Sequence, residues 1–146
     1  MVAVALVVTA LDAFTKAWAR HSLTDHPVQV VGSLRLSLHF NSGISFSLGQ
    51  TGSVLTTLLV VGVALAVVVV SLLTRPGAAA WGFGLLIGGG LANLIDRLAA
   101  TPHRVTDFVA VGSLPVFNLA DASISAGFVV LMVVALRGDR LLRHGR

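Results

Sequence analysis

The chain has 146 residues, of which 55 % are hydrophobic and 11 % are charged, and its mean hydropathy of +0.93 excludes an ordinary soluble domain. It contains no cysteine, which excludes disulfides, thiol nucleophiles and thiolate metal sites. The net charge of +4 comes from cations that flank apolar segments instead of forming a basic face, so the sequence predicts no nucleic-acid partner.

The first apolar segment, over residues 1–19, predicts a transmembrane helix that stays attached to the chain. A cleaved signal peptide is the alternative, because the Ala-Trp-Ala sequence at 17–19 has the small-x-small pattern of a cleavage site. The segment begins without basic residues and carries Asp12 and Lys16 before that site, which favours the anchored helix. These two residues are four apart and predict an ion pair, which keeps the lysine protonated and argues against a Ser/Lys peptidase.

The connection over residues 21–52 contains a segment, 34–40, in which leucine and phenylalanine alternate with arginine, serine and histidine. This period of two predicts a β-strand with one apolar face, which we expect to lie towards lipid or substrate. The sequence Asn41-Ser42-Gly43 predicts a turn after the strand.

Two uncharged runs follow, over 54–73 and 78–95, and each is long enough to cross a hydrocarbon core of about 30 Å as a helix. The short connection between them predicts an antiparallel hairpin. Gly84 and Gly88 have the spacing that lets transmembrane helices approach closely.

Polar residues gather at the end of the second of these runs. Asn93, Asp96 and Arg97 share one side of the predicted helix, which indicates a hydrogen-bonded clamp between helices. Asp107 stands in the next connection, where an isolated aspartate is usually a solvated turn residue.

The last apolar span covers residues 117–136 and carries Asp121 near its start. Asn118 precedes Asp121 by three residues, an arrangement that predicts a cap at the N-terminus of the helix. Basic residues crowd the tail that follows, which predicts a cytoplasmic C-terminus. They are Arg137, Arg140, Arg143 and Arg146.

The predicted elements describe an all-α integral membrane protein of one domain, 1–146, with four transmembrane helices. A small extracytoplasmic loop containing β-structure joins the first two helices, and both termini lie in the cytoplasm. Ionisable residues at membrane depth are costly and need a partner or a function, so polar residues collected at the outer end of the helices indicate a site. These residues are Asn41, Asn93, Asp96, Arg97, Asp107, Asn118 and Asp121.

Five short motifs occur in order along the chain. They are Asp12-x-x-Thr15-Lys16, Phe-Asn-Ser-Gly-Ile-Ser-Phe-Ser at 40–47, Gly-Gly-Leu-Ala-Asn-Leu-Ile-Asp-Arg at 89–97, Val105-x-Asp107-Phe108 and Phe-Asn-Leu-Ala-Asp at 117–121. Together they resemble the ordered motifs of bacterial lipoprotein signal peptidases, also called signal peptidase II, over essentially the whole chain. The sequence departs from that family at Ser45, where alanine is more usual.

The resemblance implies an aspartyl endopeptidase of the bacterial cytoplasmic membrane that removes the signal peptide of diacylglyceryl-modified prolipoproteins at the extracytoplasmic face. It implies that Asp107 and Asp121 are the catalytic pair, since the chemistry needs two carboxyl groups that share a proton. It further implies substrate-binding or supporting roles for Asn41, Gly43, Asn93, Arg97 and Asn118, and structural roles for Asp12, Lys16 and Asp96. The implied partners of a monomeric enzyme are the lipid-modified prolipoprotein and membrane lipid, without a metal or another cofactor.

A small proton- or ion-coupled transporter is the alternative, because aspartates inside a membrane can relay protons. A relay has to cross the membrane, whereas the run over 54–73 carries no charge. A non-catalytic assembly subunit would explain Gly84 and Gly88 but not the polar residues at one end.

Overall fold

The computed structural model describes residues 1–24, 26–41, 77–100 and 104–137, together with 62, 65, 67–69, 71 and 72. In these residues it contains three long helices and three strands. They are α1 (Val2–Ser22), β1 (Val28–Val31), β2 (Leu34–Asn41), α2 (Ala78–Ala99), β3 (Val105–Val111) and α3 (Leu119–Leu136). Each of the three helices is long and apolar enough to cross a membrane.

Three of the four predicted spans correspond to these helices. The predicted span over 54–73 lies mostly outside the described residues, so the count of four helices stays a prediction. Helices α1 and α2 continue past the predicted ends at residues 19 and 95, because helical hydrogen bonding does not stop where charged side chains interrupt an apolar run. Helix α3 begins at Leu119 and not at 117, since Asn118 is its N-cap.

Helix α2 packs against both α1 and α3, and glycines allow the close approach. A Cβ atom at Gly88 would lie 2.8 Å from the Cβ of Val8 on α1. At Gly89 it would lie 2.5 Å from the carbonyl oxygen of Ala120 on α3. The predicted close helix contact at Gly84 and Gly88 is therefore confirmed, and Gly89 adds a second contact on the other side of α2.

The three strands form an antiparallel sheet in the order β1-β2-β3. The strand predicted over 34–40 is confirmed and extends to Asn41, which pairs with Val105, while the turn predicted to follow stays a prediction. Ser42 and Gly43 lie outside the described residues. The β-structure is not confined to the connection after α1, because β3 belongs to the connection between α2 and α3.

The sheet lies against the C-terminal end of α1. Leu36 and Leu38 on β2 pack against a buried cluster formed by Ala19, Leu23 and Phe108. The apolar face of β2 therefore covers protein at these two leucines, whereas the alternation alone suggested contact with lipid or substrate. This packing holds β3 next to the ends of the helices, where the polar residues are.

Candidate active site

Asp107 lies in the middle of β3 and its exposed fraction is only 3 %. Asp107 is therefore not the solvated turn residue that an isolated aspartate in a connection usually is, because β3 pairs with β2 and this side chain is buried. The segment Val-Thr-Asp-Phe-Val-Ala-Val is rich in β-branched residues, and that composition is the signal that predicts a strand here.

Asn118 and Asp121 form a reciprocal cap at the start of α3. The Asn118 side-chain oxygen accepts a hydrogen bond of 3.0 Å from the Asp121 backbone N–H. In return, Asp121 Oδ2 accepts one of 3.2 Å from the Asn118 backbone N–H. The predicted cap is therefore confirmed, and it holds the Asp121 carboxyl group at the first turn of the helix.

Backbone pairing before α3 brings this cap to Asp107. The Phe117 N–H donates to the Val109 carbonyl at 3.0 Å, and the Val109 N–H donates back to the Phe117 carbonyl at 2.8 Å. Asn118 follows directly, and its Nδ2 donates to Asp107 Oδ1 at 2.7 Å. Asn118 is fully buried and contacts both aspartates, so it links the two acidic residues that lie on β3 and α3.

The Asp107 carboxyl group is in an environment that favours its protonated form. Burial, followed by the negative charge of Asp121, raises the pKa of Asp107 to about 6. Hydrogen bonds from Asn118 and Asn41, and the positive charge of Lys16, act in the opposite direction but are weaker. Arg97 interacts electrostatically with both Asp107 and Asp121. The two acids therefore interact electrostatically with one another and with the Arg97 guanidinium group.

Asn93 on α2 connects the acid pair with a second group of charges. Its Nδ2 donates to Asp121 Oδ1 at 2.9 Å. Its Oδ1 accepts from Asn118 Nδ2 at 3.2 Å and from Lys16 Nζ at 2.7 Å. Asn93 thus contacts α1 and both residues of the α3 cap.

The second group contains the predicted ion pair of Asp12 and Lys16, which is confirmed at 2.7 Å with both side chains almost completely buried. Asp12 Oδ1 also accepts from the Ala120 backbone N–H at 2.8 Å, which joins α1 to the first turn of α3. Asp96 lies 3.6 Å from Lys16 and pairs with Arg20 at 2.9 Å.

Sequence patterns did not single out Arg20 or Thr106, which complete this group. Arg20 donates to Thr106 Oγ1 at 2.8 Å, and the Thr106 backbone N–H donates to Asp96 Oδ2 at 2.7 Å. Arg20 follows Lys16 by four residues, and that spacing on one helix face is the signal that could have identified it.

An open cavity of about 670 Å³ lies beside Asp121. Its lining is mainly apolar and polar only in a few places. The lining residues are Asn41, Leu114, Pro115, Val116, Phe117, Asp121, Ala122, Ile124 and Ser125. A substrate in this cavity would have apolar walls around it and the Asp121 carboxyl group at its edge.

The structure places all seven polar residues expected at the outer end in one connected region. Asn41 ends β2, Asp107 is on β3, and the other five are on α2 or at the start of α3. Of the residues expected to take part in the site, Gly43 lies outside the described part of the chain. Two carboxyl groups that share hydrogen-bonding partners beside a cavity can divide the acid and base roles of a hydrolysis.

Comparison with known proteins gives a family match over almost the whole chain. Residues 4–137 match the family described as signal peptidase (SPase) II. The lipoprotein signal peptidase of Rhodococcus jostii is 40 % identical over 141 residues, which cover 92 % of this chain and 71 % of that protein. The lipoprotein signal peptidase of Mycolicibacterium smegmatis is 35 % identical over 144 residues, covering 94 % of this chain and 61 % of that protein.

Two solved structures described as bacterial membrane enzymes have the same fold. The first has a TM-score of 0.80 and 24 % sequence identity and covers 92 % of this chain and 85 % of that chain. The second has a TM-score of 0.78 and 22 % identity and covers 92 % of this chain and 90 % of that chain. At this level of identity the likeness concerns the fold alone.

Proposed function

We infer an activity for this chain from its family and its geometry: the chain belongs to the signal peptidase II family. We propose that it is an aspartic endopeptidase whose catalytic pair is Asp107 and Asp121. The proposed reaction removes the signal peptide from diacylglyceryl-modified prolipoproteins. The observation that carries this proposal is the Asn118 side chain, which hydrogen-bonds to the Asp107 carboxyl group and to the Asp121 backbone at the same time.

Hydrolysis by two acids requires one protonated and one ionised carboxyl group. Asp107 is suited to hold the proton, because burial and the charge of Asp121 raise its pKa to about 6. Asp121 is suited to the ionised role, because each of its oxygens accepts an N–H donor, from Asn93 and from the Asn118 backbone.

In the proposed reaction Asp121 takes a proton from water as the water oxygen attacks the scissile carbonyl carbon, and Asp107 gives its proton to the carbonyl oxygen. When the C–N bond breaks, the proton on Asp121 passes to the leaving amine, and the hydroxyl group of the intermediate returns a proton to Asp107. Arg97 interacts electrostatically with both carboxyl groups, and in this proposal its positive charge offsets part of their repulsion. Each proton is accounted for, and both acids return to their starting states.

The supporting roles follow from the contacts. Asn41 and Asn118 donate hydrogen bonds to Asp107, and Asn93 donates to Asp121. These amides orient the two acids. For Gly43 a role beside the substrate is supported by the family motif alone. Asp12, Lys16 and Asp96 hold the helices together around the site.

The cavity beside Asp121 supports a lipid-modified substrate. Its walls are mainly apolar, and it adjoins α3, a helix that is long and apolar enough to cross a membrane. Acyl chains can stay in the bilayer while the peptide bond reaches the carboxyl groups. Membrane lipid is therefore the second proposed partner.

We place the site at the extracytoplasmic face of the bacterial cytoplasmic membrane, with both termini in the cytoplasm. The basic residues at the end of the sequence support this orientation. The proposed enzyme is a monomer in which residues 1–146 act as one membrane-embedded domain with four spans.

The test is cleavage of a diacylglyceryl-modified peptide by purified protein. Asp107→Asn and Asp121→Asn should each lower turnover by at least about 100-fold, because each removes one proton-transfer group. Asp139→Asn, the same change in the basic tail, is the matched control and should cleave like the wild type. Wild-type turnover by a folded Asp107→Asn or Asp121→Asn protein would overturn the proposal.

The comparisons give no support to the transporter alternative. In liposomes that contain the wild-type protein, the peptidase proposal expects cleavage of the lipopeptide without ion flux. Ion flux without cleavage would reverse this conclusion.

A further inference from the structure

Lys16 is a buried cation that makes more contacts than an ion pair needs. Its exposed fraction is 1 %, and its Nζ lies 2.7 Å from Asp12 Oδ2. Burial of a charge is tolerated when the charge is paired, and Asp12 already provides that pairing. Lys16 Nζ nevertheless also donates a hydrogen bond of 2.7 Å to Asn93 Oδ1 on another helix. This additional contact connects α1 to a residue that touches the proposed catalytic pair.

The contact determines which way the Asn93 amide faces. A protonated lysine has three donors and no acceptor, so the group that faces it has to be the carbonyl oxygen of the amide. The Asn93 NH2 group must then point to the other side, where it donates to Asp121 Oδ1 at 2.9 Å. Asn118 and Asp121 favour the same orientation, and Lys16 adds to them a charged donor on the carbonyl side of the amide, which makes the stronger hydrogen bond.

A reversed Asn93 amide would be unfavourable for Asp121. It would direct a carbonyl oxygen at a carboxylate oxygen, and it would remove one of the two N–H donors that Asp121 accepts. It would also turn the NH2 group towards Asn118 Nδ2, which now donates to Asn93 Oδ1 at 3.2 Å. The orientation of Asn93 therefore affects both residues of the cap that holds Asp121.

We propose that Lys16 is a positioning residue: its ammonium group fixes the Asn93 amide so that Asn93 presents an N–H donor to Asp121. This inference rests on the proposed function, in which Asp121 is the ionised member of the pair. Lys16 does not contact the reacting atoms in this role, and its effect on the reaction passes through Asn93.

Two variants separate this role from a purely structural one. Lys16→Met combined with Asp12→Asn removes both charges of the ion pair, and the asparagine keeps an oxygen that can accept from the Ala120 N–H. Asp12→Asn alone keeps Lys16 and its contact with Asn93, so it is the matched control. With a diacylglyceryl-modified peptide as substrate, the double variant should lose about 10-fold to 100-fold in kcat relative to the control, with KM changed less than about twofold.

A double-mutant cycle tests whether the effect passes through Asn93. When Asn93→Ala is present in both proteins, replacing Lys16 by Met in the Asp12→Asn background should change kcat by less than about twofold. A loss of the same size with and without Asn93 would overturn the proposal, because Lys16 would then act by its charge on Asp107 or by packing. An unchanged kcat for the folded Lys16→Met, Asp12→Asn protein would overturn it as well.

Asn93→Asp tests the same step without changing Lys16. The aspartate keeps an oxygen that faces Lys16, so the helix contact is retained, but it lacks the N–H donor towards Asp121. The expected result is a loss of kcat of at least about 100-fold in a protein that folds normally. Wild-type kcat would show that the N–H donor is not needed. If the proposed function itself is wrong, a different result shows it: the Asp107→Asn or Asp121→Asn protein still cleaves the lipopeptide.

Discussion

Two groups of charged residues, an ion-pair group and an acid pair, lie at the same end of the protein and differ in how their charges are balanced. In the ion-pair group Lys16 pairs with Asp12 and Arg20 pairs with Asp96, so each anion has its own cation. In the acid pair Asp107 and Asp121 repel one another, and Arg97 is a cation that interacts with both. The ion-pair group resembles an ordinary helix clamp, whereas in the acid pair burial and the charge of Asp121 raise the pKa of Asp107 to about 6. The difference teaches that two carboxyl groups held together retain an electrostatic cost, seen in the raised pKa of Asp107, which paired charges avoid.

The largest expected effect comes from breaking the ion pair between Lys16 and Asp12. Lys16→Met leaves the buried Asp12 carboxylate without its cation, which should lower the free energy of unfolding by about 3 to 5 kcal/mol. Unfolding of the purified protein in detergent measures the loss. The Lys16→Met, Asp12→Asn double variant is the control and should recover most of it. Equal stability of the single variant and the wild type would contradict the importance of the pair.

The second effect has the opposite sign and concerns the acid pair. Asp107→Asn should raise the free energy of unfolding at pH 8 by up to about 3 kcal/mol, because it removes a buried carboxylate whose pKa is raised to about 6. The variant should be more stable and inactive at once. Unfolding at pH 8, measured beside a cleavage assay, checks both statements.

The pH dependence sharpens the same prediction. The pKa of Asp107 in the folded protein, about 6, lies above the ordinary value of 3.8, so the folded form holds the proton more tightly between these values. This contribution to stability is present at low pH and is lost as the pH rises through about 6. The gain from Asp107→Asn should therefore disappear near pH 4, and a gain that does not depend on pH would refute the electrostatic cause.

A smaller effect is expected when Asp121 of the acid pair is displaced and the ion-pair group is left unchanged. A Cβ at Gly89 would meet the Ala120 carbonyl oxygen at 2.5 Å, so Gly89→Ala should push the first turn of α3, with Asp121, away from α2. We expect a loss of about 1 to 3 kcal/mol in unfolding free energy together with slower cleavage.

Gly90→Ala is the matched control for this change, since a Cβ at Gly90 would have no neighbour within 4 Å. It should leave unfolding and cleavage close to the wild type. Equal effects of the two alanines, measured by the same unfolding and cleavage assays, would show that the tight contact at Gly89 is not responsible.

The smallest effect is expected at Arg20, the exposed residue of the ion-pair group. The Arg20 side chain is 42 % exposed where it pairs with Asp96, so Arg20→Gln should cost only about 0 to 1 kcal/mol. The difference should shrink further at high salt, because salt screens exposed charges. A loss as large as that of Lys16→Met in a thermal unfolding measurement would mean that the two pairs are not as different as their burial indicates.

Several parts of the site follow from local sequence rules. The ion pair of Asp12 and Lys16 and the cap formed by Asn118 and Asp121 depend on residues three or four apart, and both were predicted and are present. Asp107 was predicted in a connection between two helices and not in a strand, because no local rule shows that its segment pairs with β2. A strand is specified by the partner it pairs with as much as by its own residues.

By itself the sequence determined that lipid is the solvent, in what order the apolar helices occur, and which near neighbours pair along a helix. Only the tertiary structure decided that Asp107 and Asp121 come together around Asn118. Their meeting depends on the backbone pairing of Val109 with Phe117 and on a shared contact with Asn118. The physical reason is that hydropathy and capping act between residues close in the chain, whereas hydrogen bonding between strands joins distant segments whose partners a local pattern does not name.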